Sequence, residues 1–194
     1  MGERIEMPVS NRLVTAEEFE QLPEEPGVRM ELVRGRVVRM SPAAYEHGRI
    51  GSRILFLLTE HVNRESLGEV LMPTGFRIQT NPDTVREPDV AFISRERLEE
   101  TGPGRGFFDG PPDLAVEVRS PGDRRGEIAS KVAQYLESGV RMVWVIDTDA
   151  RSLTVYTPEG PPLVLREGDL LNGGDVVPGF RCDLRQIFSR NRDA

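Results

Sequence analysis

Between Arg86 and Tyr135 the chain carries an acid at the head of one apolar run, a second acid inside the next, and its only lysine on the helical pattern that follows. The runs are Pro88-Asp89-Val90-Ala91-Phe92-Ile93 and Leu114-Ala115-Val116-Glu117-Val118-Arg119, and the helical pattern over 123–138 holds Lys131. Successive side chains of a strand face opposite ways. Leu114, Val116 and Val118 therefore share one face and Ala115, Glu117 and Arg119 the other, while Asp89, Ala91 and Ile93 line one face of their own strand. A carboxylate among apolar neighbours is costly to bury unpaired, so Glu117 needs a metal, an arginine or solvent. If the two strands are neighbours, Asp89 and Glu117 converge on one divalent cation. Oxygen donors with several retained waters are what Mg²⁺ takes, and Mn²⁺ is the alternative.

On the helix the apolar stripe is Ile128, Val132, Tyr135 and Leu136. Lys131 lies roughly 85° from its centre at about 100° per residue. Its stem then packs at the border of the buried face while the ammonium snorkels to the sheet edge. There it can orient an attacking water and offset charge on a scissile phosphate. Taken singly, each residue has a plainer reading. Asp89 after a proline caps a strand, Glu117 pairs with Arg119 on its own face, and Lys131 pairs with Glu127 four residues before it. Together, in this order, they favour a metal-and-phosphate site.

Further candidates flank it. His47, near the start of a long helix, either touches phosphate or the site or is plain surface. Gln134, one turn beyond Lys131, can orient the water or a phosphate. Arg124 and Arg125, at the helix start, contact a backbone phosphate or stay solvated. His61 falls on an apolar stripe and reads as a core histidine; Trp144 and Tyr135 read as packing. Neither histidine sits where it would pair with a nucleophile, and two histidines with one cysteine are too few for a zinc site.

Around this stretch the pattern predicts one α/β domain over 1–194, a mixed sheet with helices on both sides and a loose arm at 1–14. Thr15-Ala16-Glu17-Glu18 is a capping box for a short helix to Leu22. A hairpin turns near Arg34-Gly35, with Arg34, Arg36 and Arg39 forming a basic edge. A helix runs over 44–66 with Ile50, Ile54, Leu57, Leu58, His61 and Val62 on one face, ended by Gly68. Strands follow at 69–72, 75–80 and 88–93, then a short helix capped by Ser94, the strand at 114–119 and its helix. Met142 to Asp147 is a strand buried on both faces, 152–157 and 162–165 form a meander, and Leu184 to Phe188 is a terminal helical turn.

The net charge of -7 argues against a general nucleic-acid coat protein, though not against an enzyme that grips phosphate locally. No apolar run is long enough to span a bilayer, and Met1-Gly2-Glu3-Arg4 leads into no hydrophobic signal region, which predicts a cytoplasmic protein. The single Cys182 reads as a small buried hydrophobe.

The set Glu31-Leu32-Val33-Arg34-Gly35-Arg36-Val37, Ser41-Pro42 with His47, Glu87-Pro88-Asp89-Val90, Val116-Glu117-Val118-Arg119-Ser120-Pro121, Lys131 to Gly139, Val143-Trp144-Val145-Ile146-Asp147 and Pro178-Gly179-Phe180 carries a resemblance. The chain resembles the PD-(D/E)XK nuclease superfamily and, more closely, its bacterial Uma-type restriction-endonuclease family, over about 15–188. That resemblance implies a restriction-endonuclease-like core and Mg²⁺-dependent hydrolysis of DNA, with Asp89 and Glu117 as metal ligands. Glu31 matches the acidic position ahead of the site, where it would help bind metal or water. The chain departs from the superfamily's Glu-x-Lys at Arg119, a residue that cannot readily exchange a proton. The family's habit of supplying the lysine from the next helix assigns that role to Lys131. Arg119 is then left to a phosphate or water contact, and a catalytically silent nuclease-fold module that only binds nucleic acid or a protein is the alternative. A nuclease that cuts both strands suits a homodimer, for which the N-terminal arm and the Val37-Val38 hairpin offer surface.

Overall fold

In a computed structural model of the chain, which describes residues 12–190 except 24, 41, 103, 105 and 121–124, the capping box at Thr15 forms as expected. Most of the N-terminal arm, Ser41 and Arg124 lie outside the described residues. The Thr15 hydroxyl accepts from the Glu18 amide, and the Glu18 carboxylate accepts from the Thr15 amide, opening α1 (Ala16–Glu20). The hairpin of β1 (Arg29–Val33) and β2 (Arg36–Met40) turns at Arg34 and Gly35, both at positive φ (50° and 73°). That is the two-residue turn whose twist matches its strands. Arg34, Arg36 and Arg39 are exposed along it, Arg39 pairing with Glu25 at 2.6 Å.

Helix α2 (Tyr45–Glu65) buries Ile50, Ile54, Leu58, His61 and Val62. It ends at Ser66 in the left-handed conformation rather than at Gly68, which belongs to β3 (Gly68–Leu71). The chain continues through β4 (Phe76–Gln79), β5 (Thr84–Arg86), β6 (Val90–Ser94), α3 (Arg95–Thr101), β7 (Phe108–Asp109) and β8 (Leu114–Arg119). Then come α4 (Arg125–Glu137), β9 (Met142–Asp147), β10 (Ser152–Tyr156), β11 (Leu163–Arg166), β12 (Leu170–Asn172), β13 (Arg181–Asp183) and α5 (Leu184–Phe188). Strands β5, β7, β12 and β13 were not expected; each is only two or three residues long, too short to show a period.

The fold is α/β with mixed sheets. A six-stranded sheet runs β11-β10-β9-β8-β6-β3, antiparallel except for β8 and β9, which the α4 crossover joins in parallel. A five-stranded sheet runs β2-β1-β5-β4-β7. Strand β6 lies inside its sheet, between β3 and β8, so Pro88 precedes the strand and never has to supply a ladder donor. On one face of the six-stranded sheet Ile50, Ile54 and Leu58 of α2 and Leu184, Ile187 and Phe188 of α5 pack against Val90, Phe92, Leu114, Val116, Val118 and Trp144. On the other, Val132 and Tyr135 of α4 meet Ala91, Ile93, Ala115, Val143 and Val145, with Phe76 and Ile78 of the second sheet. His61 is a core histidine, as expected, its Nε2 2.9 Å from the Pro178 carbonyl. No helix among the described residues is long and apolar enough to cross a membrane.

Candidate active site

The register of β6 on β8 sets Asp89 beside Glu117. Val90 pairs with Val116, the Asp89 amide donates to the Val116 carbonyl at 3.0 Å, and the Val118 amide donates to Asp89 Oδ2 at 2.8 Å. Asp89 thus stands one rung past the last ladder pair, where residues from both faces of the sheet reach it. Arg29 of β1 donates to its Oδ1 at 2.9 Å, and His47 Nε2 of α2 lies 3.1 Å from its Oδ2. His47 is therefore drawn to the site instead of standing on the open surface. Burial acts to raise the Asp89 pKa, but His47, the Val118 amide and Arg29 outweigh it and hold the carboxyl at about 2.

Glu117 is 5% exposed on the face that α4 covers. Lys131 Nζ lies 2.8 Å from both of its oxygens, and the Tyr135 hydroxyl donates to Oε1 at 2.8 Å. Lys131 and Tyr135 are four residues apart, so they stand one above the other on the helix and grip one carboxylate. Burial, with the charges of Asp89 and Glu31 nearby, pushes Glu117 up to about 7 even though Lys131 acts to lower it. Burial works against the Lys131 charge, but Glu117 and Glu31 outweigh it and hold the ammonium above its ordinary pKa. The two neighbouring carboxyls are thus pushed in opposite directions, Asp89 by its donors and Glu117 by burial beside other acids. Lys131 is 9% exposed, deeper than the helix-border position its stripe predicts, because the second sheet closes over it with Glu31.

Glu31 Oε1 accepts from Lys131 and from the Glu87 amide, both at 3.0 Å, while Arg86 Nη1 donates to Oε2 at 2.6 Å. Arg86 Nε and Nη2 both donate to Gln134 Oε1, at 3.1 and 2.7 Å. Gln134 is thereby turned to Arg86. Arg29 also bonds Glu87, through Nε at 2.8 Å. Strands β1 and β5 of the five-stranded sheet thus supply Arg29, Glu31 and Arg86 to a centre whose other two acids, Glu117 on β8 and Asp89 just before β6, belong to the six-stranded side.

Asp89, Glu117, Lys131, Glu31 and His47 come together. Arg119 does not join them: it pairs with Asp147 on β9, whose other oxygen accepts from the Asp149 and Ala150 amides. Its place opposite Asp147 in the parallel ladder explains the choice. Arg86 and Arg29 carry no signal of their own in the sequence, and Tyr135, which reads there as packing, also donates its hydroxyl to Glu117. The spacing of Tyr135 from Lys131 was a usable signal, whereas Arg29 and Arg86 are two among 24 arginines.

No group of three or more His, Cys, Asp and Glu side chains among the described residues forms a ready metal cage. The donors present are carboxylate oxygens at Asp89 and Glu117, which suit a hard divalent cation that keeps waters. The family model "Uma2: Putative restriction endonuclease" matches residues 16–185. A solved structure of "a putative nuclease belonging to DUF820 from Anabaena variabilis ATCC 29413" is similar, with a TM-score of 0.79 and 21% identity, over 90% of this chain and 97% of that one. At that identity the likeness carries the fold. No curated protein matches the chain. Since the family match runs from the first residue of α1 into α5, through every strand that builds the site, the chain belongs to the Uma2 family of restriction-endonuclease-like proteins.

Proposed function

We propose that the chain is a metal-dependent DNA endonuclease acting in the cytoplasm as one domain, with Asp89 and Glu117 holding Mg²⁺ or Mn²⁺. The observation that carries the reading is the placement of Lys131 Nζ 2.8 Å from Glu117, beside Asp89. A cation bound by the two carboxylates would supply Lewis acidity toward the scissile phosphate and a more acidic water. The Lys131 ammonium orients that water and offsets charge developing on the phosphate oxygens. Tyr135 fixes the rotamer of Glu117, and His47 and Arg29 hold Asp89. Glu31 serves this reading as the anchor of Lys131, since its oxygens already accept from Lys131, Arg86 and the Glu87 amide.

Two observations favour a second reading, a silent nuclease-fold module that binds nucleic acid or a protein without cutting. Both Glu117 oxygens are already bonded, and Arg119, which stands where the superfamily has lysine, is tied to Asp147. Plasmid nicking in Mg²⁺ and in Mn²⁺ separates the two. Cleavage that falls at least about a hundredfold in Asp89→Ala and Glu117→Ala, with folding checked by thermal melts, supports the nuclease. DNA binding without cleavage in any metal leaves the silent module standing.

A further inference from the structure

We infer that Arg86 is a positioning residue: acting through Glu31, it sets where the Lys131 ammonium stands against Glu117. The inference rests on the proposed role of Lys131 and adds to it a residue that touches neither Asp89 nor Glu117.

Arg86 closes β5 and is 8% exposed, between the second sheet and α4. Its guanidinium spans two partners. Nη1 donates to Glu31 Oε2 at 2.6 Å, while Nε and Nη2 converge on Gln134 Oε1. Gln134 lies one turn along α4 from Lys131, and its Nε2 donates back to Ser130 Oγ at 3.2 Å. Arg86 therefore ties α4 at two points. It binds Gln134 directly, and it reaches Lys131 through Glu31, whose Oε1 stands 3.0 Å from Nζ. Glu31 carries a further constraint, because the same Oε1 accepts the amide of Glu87, two residues before Asp89.

The planar fork offers separate nitrogens to Glu31 and Gln134, whereas lysine would bring a single point charge. Without the fork, Glu31 keeps one cation and can swing with Lys131. The ammonium then loses its fixed place between the two carboxylates. Groups that orient a working side chain in this way typically cost 10–100-fold in activity when removed.

The chain's single lysine makes the test direct. With ¹⁵N-lysine label the full chain gives one side-chain ammonium resonance, which reports Lys131 alone. Arg86→Lys and Gln134→Ala are compared with wild type by this resonance, by kcat and KM for plasmid cleavage, and by thermal melts. The expected result is a resonance shifted or broadened in both variants. With it, kcat should fall about tenfold to a hundredfold, with KM within about twofold. Gln134→Ala keeps the test open if Arg86→Lys folds poorly, since Gln134 is only partly buried. An unchanged resonance in the folded variants overturns the inference, whatever the melts show, and so does a moved resonance with unchanged kcat. If wild type never cuts, the endonuclease reading fails while the resonance still decides whether Arg86 places Lys131.

Discussion

Lys131 has two carboxylates to answer to, and that determines what its substitution should do. Lys131→Met keeps the stem and removes the charge, leaving Glu31 and Glu117 buried with one cation fewer between them. Removing one partner of a buried ionic cluster costs roughly 3–5 kcal/mol. Chemical denaturation should show a loss of that order, and cleavage should fall at least about a hundredfold on the proposed mechanism. A plain helix-surface pair with Glu127 would instead cost no more than about 0.5 kcal/mol. Restoring the superfamily's Glu-x-Lys by Arg119→Lys should not rescue this variant. The side chain at 119 faces Asp147, which is held by the Asp149 and Ala150 amides, so a lysine there keeps that partner. Wild-type cleavage in the double variant would show that the strand position, and not the helix, sets the cation.

At the level of elements, β3 depends on a position that looked like a helix stop. Gly68 has φ +153°, and a Cβ built there would stand 2.0 Å from the Ile93 carbonyl oxygen and 2.9 Å from the Arg95 amide. Both atoms are backbone and cannot swing aside. Gly68→Ala should therefore push β3 off β6 and cost about 3 kcal/mol in a denaturant titration. A stability equal to wild type would mean the two strands can separate without loss. The example marks what was legible in the sequence. Long or strongly periodic elements were: β8 runs from Leu114 to Arg119 as expected, and α2 is within a residue at each end. Their facing was legible too, so Glu117 was placed on the α4 side with Ala115. The division into two sheets was not, because β5 has three residues and pairs with β1, about fifty positions away. With β5 unseen, the route by which Glu31 and Arg86 enter the site was hidden. Tyr135 reads as packing in the sequence because a buried phenol satisfies the apolar stripe whether or not its hydroxyl has a partner.

For the whole molecule, the sheet edges decide where a second copy could join. Among the described residues the five-stranded sheet ends on β2 and β7, and the six-stranded sheet on β11 and β3. Strand β2 displays Arg36 and Arg39, which would face one another across a twofold axis centred between Val37 and Val38, so this hairpin is a poor joint despite its exposed valine. Strand β7 has two residues and β3 exposes Glu69. Strand β11 differs: Leu163 and Val164 are 56% and 52% exposed, with Arg166 as its only charge, and Tyr156 and Leu165 lie half-buried beside them. An apolar edge of this kind is a ready template for antiparallel pairing. Two-fold dimers are the commonest oligomer and suit an enzyme that must cut two antiparallel strands. We therefore expect a homodimer joined at β11. Light scattering behind size exclusion should give twice 21.7 kDa for wild type at micromolar concentration. Val164→Lys brings like charges together across the axis and should return the mass to 21.7 kDa with the far-UV circular dichroism of wild type, the thermal midpoint falling only by what dimerisation contributes. A wild-type protein of 21.7 kDa would remove the dimer altogether, whereas a Val164→Lys protein that stays dimeric would move the joint away from β11.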